Sequence, residues 1–121
     1  MKKLVLIVED EVWQADIFLR QLNQTYDVTI ASNGHAAINS IDEKIPDVII
    51  LDVLLAGSTG FTLIHELKSH EDLATIPIIL ITNLSEAVTI DVANRYDIAE
   101  VIDKAALRPK DLLGAVNRVF I

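Results

Sequence analysis

The chain has 121 residues, no cysteine, and 18 acidic against 10 basic side chains, for a formal net charge of −8. One domain is the natural count at this length; a hydrophobic fraction of 51% with only 5% aromatic implies an aliphatic core and excludes disorder, while the lack of cysteine excludes a disulfide scaffold. The acidic balance argues against direct binding to nucleic acid or to an anionic membrane, and it is compatible with a site for a hard cation such as Mg²⁺.

Met1-Lys2-Lys3 opens the chain like a secretion signal, but the apolar run Leu4–Val8 ends at once in Glu9-Asp10-Glu11. A signal needs about 7–15 apolar residues and a spanning helix about 20, so a cytoplasmic protein without a membrane segment is expected. Leu4–Val8 reads as the first strand. Ile17, Phe18 and Leu22 follow at helical spacing, with Asp10 or Glu11 as cap. Val28–Ala31 is the second strand, and Asn33 caps a second helix carrying Ala36, Ala37, Ile38 and Ile41. Val48–Leu51 is the third strand, and Thr59 caps a third helix with Leu63, Ile64 and Leu67. Ile78–Ile81 is the fourth, followed by Ser85 as cap and Val88, Ile90, Val92 and Ala93 on a helix. Ile98–Ile102 is the fifth, and Pro109 takes the first-turn position of a last helix bearing Leu112, Leu113, Val116, Val119 and Phe120.

Short runs that are apolar on both sides suit strands buried on both faces, as in a parallel sheet. Strand–helix alternation with short connections then implies an α/β fold: a doubly wound five-stranded parallel sheet of order 2-1-3-4-5, a flavodoxin-like (βα)5 sandwich, with residues 1–121 as one domain. In such sheets ligands bind at the carboxyl ends of the strands, beside the switch point between strands 1 and 3. The residues that follow the strands there are Glu9 and Asp10, Asp52, Thr82 and Lys104. Clustered carboxylates repel and need a cation, and all-oxygen ligation favours Mg²⁺ or Mn²⁺. An aspartate beside such an ion can attack phosphorus, while a lysine, a hydroxyl and the metal stabilise the transferring phosphoryl group. Any one of these residues alone reads as a cap or a solvated group; the order of types at four strand ends is what points to chemistry.

On these residues the chain resembles, over essentially its whole length, the receiver domains of two-component response regulators. The carriers are Glu9-Asp10, Asp52 in Val-Ile-Ile-Leu-Asp, Gly60, Thr82 in Leu-Ile-Thr, Lys104, and Asn33-Gly34. The resemblance implies that Asp52 is the phosphoacceptor, that Asp10, Asp52 and the backbone carbonyl of Leu54 bind Mg²⁺ with Glu9 acting through water, and that Thr82 and Lys104 contact the phosphoryl group. It implies a histidine kinase or phosphotransfer protein as donor, a downstream protein docking on the face formed by the fourth helix, fifth strand and fifth helix (Ala87, Ile90, Val101, Ala105, Ala106), and no enzymatic activity beyond the protein's own phosphorylation and dephosphorylation. The chain departs from the family where Met-Pro usually follows the phosphoacceptor, here Leu55-Ala56; where proline in a cis bond usually follows the lysine, here Ala105; and at the aromatic switch position, here Val101. Leu54 and Leu84 replace groups that could orient a hydrolytic water, so a long-lived phosphorylated form is expected.

Three alternatives compete. A haloacid-dehalogenase-type phosphatase would need a second acid where Leu54 stands. A flavodoxin would place Gly57–Thr62 after its first strand rather than its third. A degenerate receiver would serve as a phosphorylation-independent docking module. His35, His65 and His70 lack metal-ligand spacing and read as surface residues, and Trp13 reads as partly packed on the first helix.

Overall fold

The computed structural model describes residues 2–55, 58–83, 91 and 93–121, with the side chains of residues 54, 55, 58 and 59 left out. Five strands, β1 (Leu4–Val8), β2 (Asp27–Ala31), β3 (Val48–Asp52), β4 (Ile78–Thr82) and β5 (Glu100–Asp103), form one parallel sheet in the order β2-β1-β3-β4-β5. The helices are α1 (Val12–Leu22), α2 (Gly34–Glu43), α3 (Gly60–Lys68), the helical residues 93–96 (α4) and α5 (Asp111–Val119). Among the described residues no helix is long and apolar enough to cross a membrane.

The sheet alternates its apolar side chains between two cores. Leu6, Val8, Ile49, Leu51, Ile78 and Leu80 face Ala37 and Ile41 of α2 and Leu63, Ile64 and Leu67 of α3. The intervening Val5, Ile7, Val48, Ile50, Ile79 and Ile81 face Phe18 and Leu22 of α1 and Leu112, Ala115 and Val116 of α5. The period-2 geometry of a strand makes this two-sided burial possible, and it is why the central strands tolerate no polar residue before their last position. All five residues of β3 and of β4 are buried, whereas the edge strands β2 and β5 are mostly half-exposed.

Local chemistry places the boundaries. Asn33 caps α2 as expected, its side chain accepting the Ala36 N–H at 2.8 Å. Glu11 occupies the cap position of α1 but its side chain accepts no capping bond; the cap expected at Ser85 lies outside the described residues, as does the side chain of Thr59. Pro109 is not in the first turn of α5. It sits in the turn before it, closed by the Asp111 N–H to the Arg108 carbonyl, where Pro109 supplies the preset φ of the second turn residue. β5 starts at Glu100 rather than Ile98, because the Ile98 N–H still bonds the Ala93 carbonyl across a left-handed Asp97 (φ 54°), a helix-closing arrangement. Ile17 and Trp13 are exposed, against the expectation of packing. The buried stripe of α1 runs through Ala15, Phe18 and Leu22, and Trp13 stands about 200° round the helix from Ala15.

The chain returns from β3 to α3 through a short hairpin in which Leu54 pairs with Thr59 and Leu55 with Ser58. Gly60 closes it by donating its N–H to the Val53 carbonyl at 2.6 Å. A Cβ at Gly60 would lie 2.8 Å from the Asp52 carbonyl oxygen and 2.9 Å from the Val53 Cα, both backbone atoms that cannot swing away. Gly60→Ala is therefore expected to destabilise the fold by about 1–3 kcal/mol, the usual range for overpacking, read from the urea midpoint at unchanged slope; a midpoint equal to wild type would show that the hairpin yields freely.

Candidate functional site

Strand register assembles the site. Val8 pairs with Leu51 and Asp52 with Ile81, so Glu9, just past β1, lies beside Asp52, the last residue of β3. Thr82 ends β4 and pairs with Asp103, so Lys104 leaves the sheet on the same rim. Glu9, Asp52 and Thr82 are the only buried polar residues among those described. Burying them costs free energy unless each is partnered or ligated, which marks this rim rather than the rest of the surface.

Glu9 and Asp52 share Lys104 as a partner. Its ammonium donates to Asp52 Oδ2 at 2.8 Å and to Glu9 Oε1 at 3.0 Å, and its side chain is 18% exposed. Asp10 completes the group: carboxylate oxygens of Glu9, Asp10 and Asp52 all lie within 4.8 Å of one another. The other Glu9 oxygen, Oε2, is buried and accepts no hydrogen bond from the described residues. Three carboxylates against one ammonium leave the rim short of positive charge. Burial, then the neighbouring Asp52, push the Glu9 carboxyl up from 4.5 to about 7, against the pull of Lys104. Burial disfavours the Lys104 ammonium too, but its bonds to Asp52 and Glu9 outweigh that, and its pKa is held above the ordinary lysine value.

Of the residues singled out in the sequence, Glu9, Asp10, Asp52 and Lys104 are thus brought together, with Thr82 buried at the adjoining strand end. The Leu54 backbone follows Asp52 by two residues in the hairpin. Leu84 and the Leu54 side chain, expected to shield the site, lie outside the described residues. The peptide bonds described are all trans, so the Lys104–Ala105 segment takes another path from the family's usual one. It forms a 3₁₀ turn, Lys104–Ala106, in which the Asp103 side chain accepts the Ala105 N–H at 2.9 Å. Sequence reasoning overlooked Asp103; an Asp at a strand end before a segment without proline is the signal that could have found it. His35, His65 and His70 are exposed, and no histidine joins the acidic group.

A sequence profile of the response regulator receiver domain matches residues 5–117. The chain is 36% identical over 124 aligned positions to "Probable transcriptional regulator ycf27" of Guillardia theta, covering 98% of this chain and 46% of that protein. It is 34% identical over 87 residues to the response regulator PleD of Caulobacter vibrioides, covering 69% of this chain and 19% of the relative. The chain therefore spans less than half the length of these curated relatives. The solved signal receiver domain of a signal transduction histidine kinase from Syntrophus aciditrophicus superposes with a TM-score of 0.86 at 33% identity, over 97% of this chain and 89% of that one.

The Glu9 shift has a measurable sign. The unfolded carboxyl titrates near 4.5 and the folded one near 7, so the native state holds the extra proton between those values. That contribution is complete below about 4.5 and is lost as pH rises through about 7. Metal-free protein in chelator is expected to lose of order 1–3 kcal/mol of stability across this window, and Glu9→Gln to flatten the loss. Urea midpoints between about pH 5 and pH 8 check it; equal slopes in both proteins would refute the assignment.

Proposed function

The chain belongs to the response regulator receiver domain family of two-component signalling, and from that premise we propose that it takes a phosphoryl group on Asp52, with Mg²⁺, and relays the change to a protein partner. The family works with histidine kinases or phosphotransfer proteins, and one of these is the donor assigned here. The observation that carries the proposal is the Lys104 ammonium bound at once to Glu9 and Asp52, with Asp10 alongside.

The donor set suits a hard cation: carboxylate oxygens from three residues within 4.8 Å of one another, one of the residues offering a further buried oxygen with no hydrogen-bond partner among the described residues. Asp10, Asp52 and the Leu54 carbonyl are assigned to the ion, with Glu9 acting through water. When bound, Mg²⁺ supplies positive charge that offsets the carboxylates and the phosphoryl oxygens. An Asp52 carboxylate oxygen attacks phosphorus; the new O–P bond forms as the bond to the donor's histidine nitrogen breaks, and the imidazole leaves. Lys104 already faces Asp52 and follows the developing charge onto the phosphoryl oxygens, a charge-assisted contact, while the Thr82 hydroxyl donates to another. The chemistry begins and ends on the protein itself, so the domain is a switch rather than an enzyme acting on others, with residues 1–121 as its unit.

The downstream partner is assigned to the face of α4, β5 and α5. Ala105 and Ala106 are exposed there and Val101 is half-buried; Ala87 and Ile90 lie outside the described residues. The docking-only alternative has less support, because it gives no reason to bury Glu9, Asp52 and Thr82 on one rim. With acetyl phosphate and Mg²⁺, intact-mass measurement is expected to show one added phosphoryl group in the wild type and none in Asp52→Asn. Asp10→Asn is expected to need much more Mg²⁺, because a ligand charge is lost. A phosphoryl gain in Asp52→Asn would overturn the assignment, and no gain in the wild type would favour the docking module.

A further inference from the structure

We propose that Asp103 is a positioning residue for Lys104: its carboxylate holds the 3₁₀ turn that aims the ammonium at Asp52. The inference rests on the phosphoacceptor role assigned above to Asp52. Lys104 is the first residue after β5, and nothing in its own backbone fixes where a four-methylene side chain points. At Asp103 the chain is extended (φ −74°, ψ 117°), and it is extended again at Leu107 (φ −69°, ψ 121°). Between them lies one 3₁₀ turn, Lys104–Ala106. Such a turn has weak internal hydrogen bonds and leaves its first N–H groups without partners.

Both flanks are anchored. On one side Asp103 pairs with Thr82 at the end of the sheet, and on the other Leu107 packs against the core under α1 and α5. The middle is bare: Ala105 and Ala106 are exposed and bring no packing of their own. The Asp103 Oδ1 bond to the Ala105 N–H, 2.9 Å, therefore bears on the turn more than its exposed position suggests. It fixes the peptide that follows Lys104, and with it the direction in which the Lys104 side chain leaves the backbone toward Asp52 Oδ2 and Glu9 Oε1. The segment carries neither a proline nor a cis bond to hold this geometry, and Asp103 does so by a side-chain acceptor instead.

The test uses the whole chain with Asp103→Ala and Asp103→Asn, the latter keeping a carbonyl acceptor at the same place. The first readout is the rate of Asp52 phosphorylation by acetyl phosphate at saturating Mg²⁺. Asp103→Ala is expected to lower the maximal rate about fivefold, the factor that loss of one such cap commonly carries. The half-saturating acetyl phosphate concentration is expected to stay unchanged, and Asp103→Asn to stay within about twofold of wild type. The second readout, the NMR titration of the Lys104 side chain, requires no phosphorylation. The Lys104 pKa is expected to fall toward the ordinary lysine value in Asp103→Ala and to stay raised in Asp103→Asn. An unphosphorylatable wild type would sink the function assigned to Asp52, while the Lys104 titration would still judge Asp103. Wild-type rate and titration in Asp103→Ala would overturn the positioning role. So would equal losses in Asp103→Asn, or reduced stability with an unchanged Lys104 titration.

Discussion

Lys104 reaches from the edge of the sheet to its centre. It leaves the edge strand β5, passes the end of β4, and places one ammonium between Asp52 on β3 and Glu9 beyond β1. That contact ties together the two buried acids of this rim. Removing it would take the one ammonium away from two buried carboxylates that lie beside a third, which is more costly than losing an exposed ion pair such as Arg95–Asp91. The same contact constrains the fold, because the ammonium meets both acids only if three strand ends finish level. The pairings Val8 with Leu51, Asp52 with Ile81, and Thr82 with Asp103 provide that alignment.

The parts of the molecule that were legible in the sequence are those where one physical rule dominates. Two-sided apolar runs such as Val48–Leu51 suit strands buried on both faces, and five of them alternating with helices suit the 2-1-3-4-5 order that the sheet has. Glu9, Asp10, Asp52 and Lys104 were legible because the carboxyl-end rule turns strand ends into a short list of positions. Where two signals competed, the reading failed. Trp13 is large and apolar, but its angular place on α1 outweighs its hydrophobicity and leaves it 62% exposed. Pro109 suits both a first helical turn and the second residue of a β-turn, and here the Asp111 N–H to the Arg108 carbonyl decides for the turn. Ile98 looked like strand, but the helix-closing bond to Ala93 claims its N–H first.

The departures from the usual receiver pattern fall on two connections and on one position of the edge strand. Leu55 lies in the hairpin after β3, with Ala56 outside the described residues; Ala105 lies in the turn after β5; and Val101 lies in the edge strand, half-buried against the core shared with α2 and α3. At both loops the described backbone is held by local hydrogen bonds: Gly60 to Val53 in one, Ala105 to Asp103 in the other. Local bonds of this kind replace the stiffness a proline would contribute through its fixed φ. They can also be broken one at a time, which a ring constraint cannot.

Burial on both faces finally explains why the acids sit where they do. Within β3 every residue from Val48 to Leu51 is enclosed by one core or the other, so a charge there would have neither water nor partner. Asp52 is the first position at which the strand clears both helical layers, and at 6% exposure it is still dry enough for a single ammonium to matter. A residue one step earlier would be core, and one step later it is Val53, which turns back into the packing at 1% exposure. The strand therefore offers one place for a carboxylate that is both sheltered and reachable. Glu9 and Thr82 occupy the corresponding places on the neighbouring strands, at 2% and 4% exposure. The rim is thus the sheet's own terminus, and its chemistry can change without repacking either core.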